Sequence, residues 1–208
     1  MLSLQTALAF FGVSLLLGIT PGPDNIFVLL QSASHGRRAG FLVVLGLCGG
    51  LVVHTTAIAL GLAAVFAASE TAFVVLKFVG AAYLAYLAWQ AFGAPASADD
   101  NEQSPTLRPM QLLVRGMLMN LSNPKVVFFF LAFLPQFVDA NHGPVALQLA
   151  QLGGIFMLAT LLSFGAISYF AATAGQRLRS SARAQKWMNR AAGTVFAGLA
   201  LRLALAQR

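Results

Sequence analysis

Apolar residues dominate six stretches of the chain, and each stretch is long enough to form a membrane-spanning helix. A helix needs about 20 predominantly apolar residues to cross the hydrocarbon core of a bilayer. The pattern therefore predicts an all-α membrane protein with six transmembrane helices. The stretches cover residues 4 to 31, 39 to 67, 70 to 92, 115 to 137, 145 to 173 and 190 to 206.

A polar connection divides these stretches into two groups of three. It covers residues 93 to 114, contains the run PASADDNEQSPT, and is too rich in polar residues and proline to pack in a core. We expect a first three-helix repeat at 1 to 92 and a second at 115 to 208, together forming one membrane domain. Three spans per repeat is an odd number, so the second repeat is expected to be inverted relative to the first. A chance likeness between glycine-rich helices is the alternative.

Composition and charge agree with a membrane protein. The chain is 58% hydrophobic and 9% charged, far below the roughly 25% of charged residues in soluble domains. Its net charge of +7 is spread over short connections, which argues against a nucleic-acid partner. Under the positive-inside rule, the basic connections lie in the cytoplasm and both termini lie outside. The connections on that side carry Arg37, Arg38, Arg108, Arg115, Arg177, Arg179, Arg183, Lys186 and Arg190.

Prolines interrupt the first and fourth stretches at matching places. Pro21, Gly22 and Pro23 end one helix, because proline lacks the N–H donor and clashes with the preceding turn. Asn123 and Pro124 do the same in the fourth stretch, with Asn123 predicted as the N-cap of the restarted helix. Broken helices are tolerated in a bilayer where protein buries them or where they line a wet cavity. An alternative is that the second half of the first stretch is re-entrant.

Each break is followed by an ionisable residue, Asp24 after Pro23 and Lys125 after Pro124. Charges at membrane depth are rare and usually mark a transport path. We expect Asp24 and Lys125 to face each other, so that a zwitterionic substrate inserts between them. Asp24 is also predicted to carry a driving proton, because burial and a neighbouring cation act on its protonation in opposite directions.

Further candidates for the site are polar or aromatic residues close to the breaks. Asn25, Asn120 and Asn123 are predicted to bind substrate, although capping of the broken helices would also explain them. Tyr83 is a candidate cavity residue that alternatively bonds a neighbouring helix. His54 is predicted as a proton relay, or as a hydrogen-bonding residue between helices. The histidines are too scattered to form a metal site, and the pattern requires no cofactor.

Three segments carry a resemblance to a known family, the LysE-type translocators, which includes lysine, homoserine, threonine and leucine exporters. They are GITPGPDNIFVL at 18 to 29, NPKVVFFFLAFLPQFV at 123 to 138 and LKFVGAAYLAYLAWQAF at 76 to 92. The resemblance implies a six-helix exporter of the cytoplasmic membrane, coupled to the proton motive force and assembled as a homodimer. The family's association with transport carries over to Pro21, Gly22, Pro23, Asp24, Asn123, Pro124 and Lys125.

The sequence thus predicts a secondary transporter of the inner membrane that exports amino acids or related metabolites. A divalent-metal-ion exporter of similar architecture is the alternative, although it would need several ligands at membrane depth. A membrane-embedded enzyme would need a nucleophile with its base, paired aspartates or a metal motif, and the sequence has none of these patterns. We therefore expect a transporter with a small substrate, protons and lipid as its partners.

Overall fold

The computed structural model describes residues 2–68, 70–93, 107–179 and 182–205, and every secondary-structure element in these ranges is helical. The prediction of an all-α protein is confirmed. Residues 94–106 of the predicted polar connection lie outside the described ranges. The helices are α1 (Leu4–Ile19), α2 (Pro23–Ala68), α3 (Glu70–Gly93), α4 (Pro109–Ser122), α5 (Pro124–Phe128), α6 (Val145–Arg179) and α7 (Ala182–Leu205).

Both predicted proline breaks are present. Thr20 is extended at φ −60° and ψ 124°, and Asn123 is extended at φ −74° and ψ 107°. Each residue precedes a proline, whose ring disfavours the helical conformation of the residue before it. Beyond the second break, α5 continues through a π-helical turn at Phe129–Phe133 and a 3-10 turn at Leu134–Phe137. The segments before and after that break are bent by 53°.

Helix α2 folds back on itself at Gly36, whose φ of 84° and ψ of 172° interrupt the helical conformation. The fold-back is evident because a Cβ placed on Gly40 would overlap the hydroxyl of Ser32. In a straight helix, residues eight apart are separated by about 12 Å. Residues 23–35 and residues 37–68 are therefore two separate helical arms of α2.

Membrane-spanning character is clear for part of the fold. The ranges Pro23–Gly61, which includes the turn at Gly36, and Val145–Thr173 each contain an apolar stretch long enough to cross a bilayer, and the bent pair Pro109–Ser122 with Pro124–Phe137 makes a third candidate. The protein is thus a multi-pass membrane protein. The count of six spans and the inverted repeat do not follow from the length and composition of the described helices, and they stay predictions.

Helices α2 and α4 pack closely because each contributes a glycine at its contact with the other. A Cβ on Gly46 of α2 would overlap the carbonyl oxygen of Leu113 in α4, and a Cβ on Gly116 of α4 would overlap that of Val43. Small residues let membrane helices approach until their backbones touch, which favours dispersion contacts where lipid offers no hydrophobic driving force. The GxxxG spacing that begins at Gly46 therefore serves packing within the chain.

Two apolar clusters make up the core. The aromatic cluster joins α1, the segment after the second break, and α6, with Phe10 and Phe137 in edge-to-face contact at 5.0 Å between ring centroids. The aliphatic cluster joins both arms of α2 with α4 and α6. The aromatic cluster includes Phe10, Phe129, Phe130, Phe133, Phe137 and Phe156, and the aliphatic cluster includes Val28, Val43, Val44, Leu47, Leu112 and Phe164.

The connection between the bent segment and α6 is held by its own polar contacts. The carboxylate of Asp139 accepts hydrogen bonds from the backbone N–H of Asn141 at 2.8 Å and from Nδ1 of His142 at 2.7 Å. These donors, the Asn141 N–H first, lower the pKa of Asp139 below its ordinary value. The carboxylate of Asp139 thereby caps the turn at Ala140–His142.

The contact between α2 and α4 can be tested with Gly46→Ala. We expect this substitution to lower the free energy of unfolding by about 1–3 kcal/mol, because the added methyl meets a rigid carbonyl group. The measurement is the unfolding temperature of the purified protein in detergent. Gly61→Ala is the matched control, since Gly61 lies on the same helix and a Cβ added there would meet no described atom within 4 Å. Equal unfolding temperatures for the two variants would contradict the packing role.

Candidate functional site

Local structure at the two breaks places one charge at the start of each restarted helix. Asp24 lies in the first turn of α2, and its Oδ1 accepts a hydrogen bond from the backbone N–H of Asn25 at 3.0 Å. Asn123 caps α5, because its Oδ1 accepts a hydrogen bond from the N–H of Lys125 at 3.0 Å. The predicted first-turn position of Asp24 and the predicted N-cap at Asn123 are both confirmed.

The ammonium group of Lys125 reaches across the bundle to the first break. Its Nζ lies 3.3 Å from Oδ1 of Asp24 and 3.3 Å from Oδ1 of Asn25. It also donates to the backbone carbonyls of Thr20 at 3.2 Å and Leu17 at 3.4 Å. The expectation that Asp24 and Lys125 face each other is confirmed.

Helix α1 contributes to this site through the carbonyl groups that its break leaves unpaired. The last carbonyls of a helix lack intrahelical partners and carry the negative end of its dipole. Lys125 occupies that end, and the Nδ2 of Asn25 donates to the carbonyl of Gly18 at 2.7 Å. Lys125 is thus held by a carboxylate and by the end of α1, although it stands at the unfavourable end of its own helix.

Because both side chains are buried, the stability of each charge in the folded protein depends on the other. Asp24 is 2% exposed and Lys125 is 4% exposed. Gly22 permits the close contact, since a Cβ there would lie 2.8 Å from Oδ1 of Asp24 and 3.0 Å from Nζ of Lys125. Removing one member of a buried ion pair leaves an uncompensated charge, which typically destabilises a protein by about 3–5 kcal/mol.

A small cavity adjoins the pair where the aromatic and aliphatic clusters meet. Its volume of about 10 Å³ is the space of about one water molecule. Residues from five helical segments surround it, so no single break forms it alone. The lining residues are Leu17, Gly18, Asp24, Leu47, Asn120, Lys125, Val126, Phe156, Thr160 and Phe164.

Two buried amide atoms near the pair have no hydrogen-bond partner within the described part of the chain. They are Oδ1 of Asn120, which is an acceptor, and Nδ2 of Asn123, which is a donor. Both residues are 3% exposed. Buried polar groups in folded proteins are nearly always paired, so each exception calls for an explanation. Gly50 makes room for Asn120, since a Cβ at Gly50 would lie 2.6 Å from that Oδ1 atom.

The structure places the remaining predicted residues at different distances from the pair. His54 lies beside the second break, with Nε2 at 3.4 Å from the carbonyl of Asn120 and its ring near Phe130. Tyr83 stacks on Phe128 at 4.1 Å between ring centroids and is not among the described residues that line the cavity. A substrate contact by Tyr83 therefore remains a prediction without geometric support.

Sequence reasoning missed the contribution of α6 to the cavity. Phe156, Thr160 and Phe164 recur at intervals of four residues and so share one helix face. That spacing was the available signal, but it is also typical of ordinary helix packing. Among the described residues, no group of three His, Cys, Asp or Glu side chains is arranged to hold a metal ion.

Comparison with known proteins now identifies the family. The family model for the LysE type translocator matches residues 7–207, nearly the whole chain. The chain belongs to the LysE-type translocator family. This confirms the resemblance seen at the two breaks and shows that the protein is a translocator.

Relatives with a similar sequence cover most of the LysE-type chain. A homoserine/homoserine lactone efflux protein of Salmonella typhimurium is 33% identical, with 90% of each chain aligned. The uncharacterized membrane protein YrhP of Bacillus subtilis is 31% identical over 97% of this chain and 100% of its own. An uncharacterized membrane protein of Pseudomonas aeruginosa is 32% identical over 90% of this chain and 89% of its own. No solved structure matches the chain.

The interdependence of the buried pair can be tested with a double-mutant cycle of Asp24→Asn and Lys125→Met. We expect either single variant to lose about 3–5 kcal/mol of unfolding free energy, because the remaining charge is buried without its partner. The double variant should lose less than the sum of the two single losses. The measurement is thermal unfolding of all four proteins in one detergent.

Lys186→Met is the matched control for this cycle. Lys186 is exposed, so loss of its charge should leave the unfolding temperature unchanged. Strictly additive effects of the two single variants would show that the pair does not interact in the membrane protein as purified.

Proposed function

We propose that this protein is a secondary transporter of the cytoplasmic membrane that exports small neutral amino acids of the homoserine type. The observation that carries the proposal is the buried Asp24–Lys125 pair, flanked in the described structure by an unpaired amide acceptor on Asn120 and an unpaired amide donor on Asn123. These four groups complement the ammonium and carboxylate of one amino-acid zwitterion.

In the proposed complex, the substrate separates the two charges and replaces each of them as a partner. Its carboxylate binds Nζ of Lys125 and Nδ2 of Asn123. Its ammonium binds the carboxylate of Asp24 and Oδ1 of Asn120. The present contact of 3.3 Å and the cavity of about 10 Å³ leave no room for an amino acid. Binding therefore requires the two broken segments to move apart, which suits a transporter that alternates between closed and open states.

The lining of the cavity supports a small, uncharged substrate side chain. Leu17, Leu47, Phe156 and Phe164 are apolar, and Thr160 adds one hydroxyl group. The described lining contains no second charged pair to receive a charged side chain. A homoserine side chain, which ends in one hydroxyl, fits this lining, and the Salmonella relative carries the name of a homoserine/homoserine lactone efflux protein.

The geometry also supports the predicted inverted repeat. Asp24 and Lys125 occupy equivalent positions in the two halves, and they meet in the folded protein. Such a meeting is expected when two inverted repeats enclose one site near the middle of the membrane. In the orientation that we propose, the connections around Arg37 and Arg115 face the cytoplasm and both termini lie outside. The homodimer implied by the family resemblance remains an expectation.

Proton coupling through Asp24 is part of the proposal. Protonation of Asp24 would remove the negative charge that binds the substrate ammonium, so one proton and one substrate molecule compete for this carboxylate. His54 lies next to the carbonyl of Asn120 and offers a second proton-accepting group beside the break. The divalent-metal alternative has less support, because a metal path needs several ligands close together.

The substrate proposal predicts export by the wild type and its loss at the pair. Proteoliposomes are loaded with radiolabelled homoserine, threonine, leucine or lysine, and efflux is followed over time. We expect Asp24→Asn and Lys125→Met to lower kcat/KM by about 10- to 100-fold, since a hydrogen bond to a charged group contributes about 1.5–3 kcal/mol. Lys186→Met should behave as the wild type. Full transport activity in both site variants would contradict the proposed binding site. Absence of flux of every amino acid in the wild type would contradict the proposed substrate class.

The coupling proposal predicts a separate defect in Asp24→Asn. This variant should still exchange substrate across the membrane at equal pH, but a pH gradient should no longer drive accumulation, because the amide cannot carry the proton. The measurement compares equilibrium exchange with gradient-driven transport, and wild-type vesicles treated with a protonophore are the control. Gradient-driven accumulation at the wild-type level in Asp24→Asn would assign the proton to another group.

A further inference from the structure

Two glutamines are buried to a similar degree in this protein, but within the described structure only one of them has hydrogen-bond partners. Gln148 is 2% exposed, and its Nε2 donates to the carbonyls of Asp139 at 2.7 Å and Gly143 at 3.1 Å. Its Oε1 accepts from the N–H of Asp139 at 3.1 Å. Gln31 is 1% exposed, and neither its Nε2 nor its Oε1 has a partner among the described residues. The burial of Gln148 is thus explained by the turn that its amide stabilises, whereas no such contact accounts for the burial of Gln31 within the described structure.

Gln31 lies on the same helix face as the ion pair. It follows Asp24 by seven residues, which is two turns and about 10 Å along α2. Val28, between them on this face, is fully buried in the aliphatic cluster with residues of α4 and α6. The face that carries Asp24 and Gln31 therefore points into the bundle rather than to lipid.

The hydroxyl groups of Ser32, next to Gln31 in the chain, and of Ser168 already have hydrogen-bond partners. Oγ of Ser32 lies 2.6 Å from the carbonyl oxygen of Val28, to which it donates, and 3.0 Å from Oγ of Ser168. Ser168 donates to the carbonyl of Arg37, which lies just after the turn at Gly36. These bonds close a tight contact between the two arms of α2 and α6, and they leave the amide of Gln31 unsatisfied.

Gln31 also lies between the ion pair and the basic turn that contains Arg37. Arg115 approaches the same arm of α2, with its guanidinium 5.1 Å from the ring centroid of Phe27. This is the end that we assign to the cytoplasm. Gln31 therefore lies on the cytoplasmic side of the pair, on the buried face of α2 that also carries Asp24.

We propose that Gln31 is a second substrate contact, on the cytoplasmic side of the Asp24–Lys125 pair, which the amino acid meets before it separates the pair. A primary amide offers both an acceptor and a donor. Its Oε1 binds the substrate ammonium and its Nε2 binds the carboxylate, without a fixed charge that would retain the substrate. In the closed conformation neither amide atom of Gln31 has a hydrogen-bond partner within the described structure, and the substrate supplies a partner for each. This inference rests on the proposed function.

The test compares Gln31→Leu with Gln31→Asn in inside-out membrane vesicles, with radiolabelled L-homoserine as the probe. Gln31→Leu should raise the apparent KM by about tenfold, the effect of losing a hydrogen-bonding contact to a charged substrate. Its unfolding temperature should be unchanged or higher, because no internal hydrogen bond is lost. Gln31→Asn keeps the amide and should recover most of the loss in apparent KM.

Gln148→Leu is the matched control, because it removes a similarly buried amide that does have partners. It should lower the unfolding temperature and leave KM unchanged. An unchanged KM in Gln31→Leu would overturn the proposal while the proposed function stands. A marked fall in its unfolding temperature would also overturn it, by showing that the amide has a structural partner. A wild type that transports neither homoserine nor any other amino acid would overturn both.

Discussion

A buried ion pair between Asp24 and Lys125 joins the two broken helices at the centre of this protein. Two charges in a bilayer are stable only if they are paired and hydrogen-bonded. Each proline break supplies part of that environment: the first exposes the carbonyls of Leu17 and Thr20, and the second places Lys125 at a capped helix start. The breaks therefore supply hydrogen-bond partners for the charges, and Lys125 supplies a donor for carbonyls that the first break leaves unpaired. A kink without the pair would leave backbone groups unsatisfied, and the pair without the kinks could not be solvated by protein.

The same arrangement gives a physical account of how a zwitterion could be exchanged across the membrane. Lys125 has several acceptors in the closed state, so opening the pair is unfavourable unless another anion takes the place of Asp24. In the function that we propose, a substrate carboxylate provides that anion, and its ammonium restores a partner to Asp24. The free energy of opening is thereby offset only when substrate or a proton is present.

Unpaired buried amides are informative because folded proteins rarely leave such groups without partners. Gln148 shows the usual situation, in which a buried amide fixes a turn through three hydrogen bonds. Asn120, Asn123 and Gln31 each keep at least one amide atom without a partner in the described structure. They lie near the ion pair or along the same face of α2. Gln148 thus holds the fold, whereas we propose that the unpaired amides of Asn120, Asn123 and Gln31 lie along the path of a polar solute.

Features that depend on local backbone chemistry could be predicted from the residues alone. These are the all-α membrane class, the breaks at Pro21 and Pro124 and the cap at Asn123, whereas the family followed from the resemblance of three sequence segments. Three-dimensional packing was needed to show that Asp24 and Lys125 meet at 3.3 Å, that α1 supplies carbonyls, and that α6 lines the cavity. The physical reason is that lipid tails are as apolar as leucine. Hydrophobicity therefore shows which segments enter the membrane but not which of their faces meet, and that choice is made by packing between helices far apart in the chain.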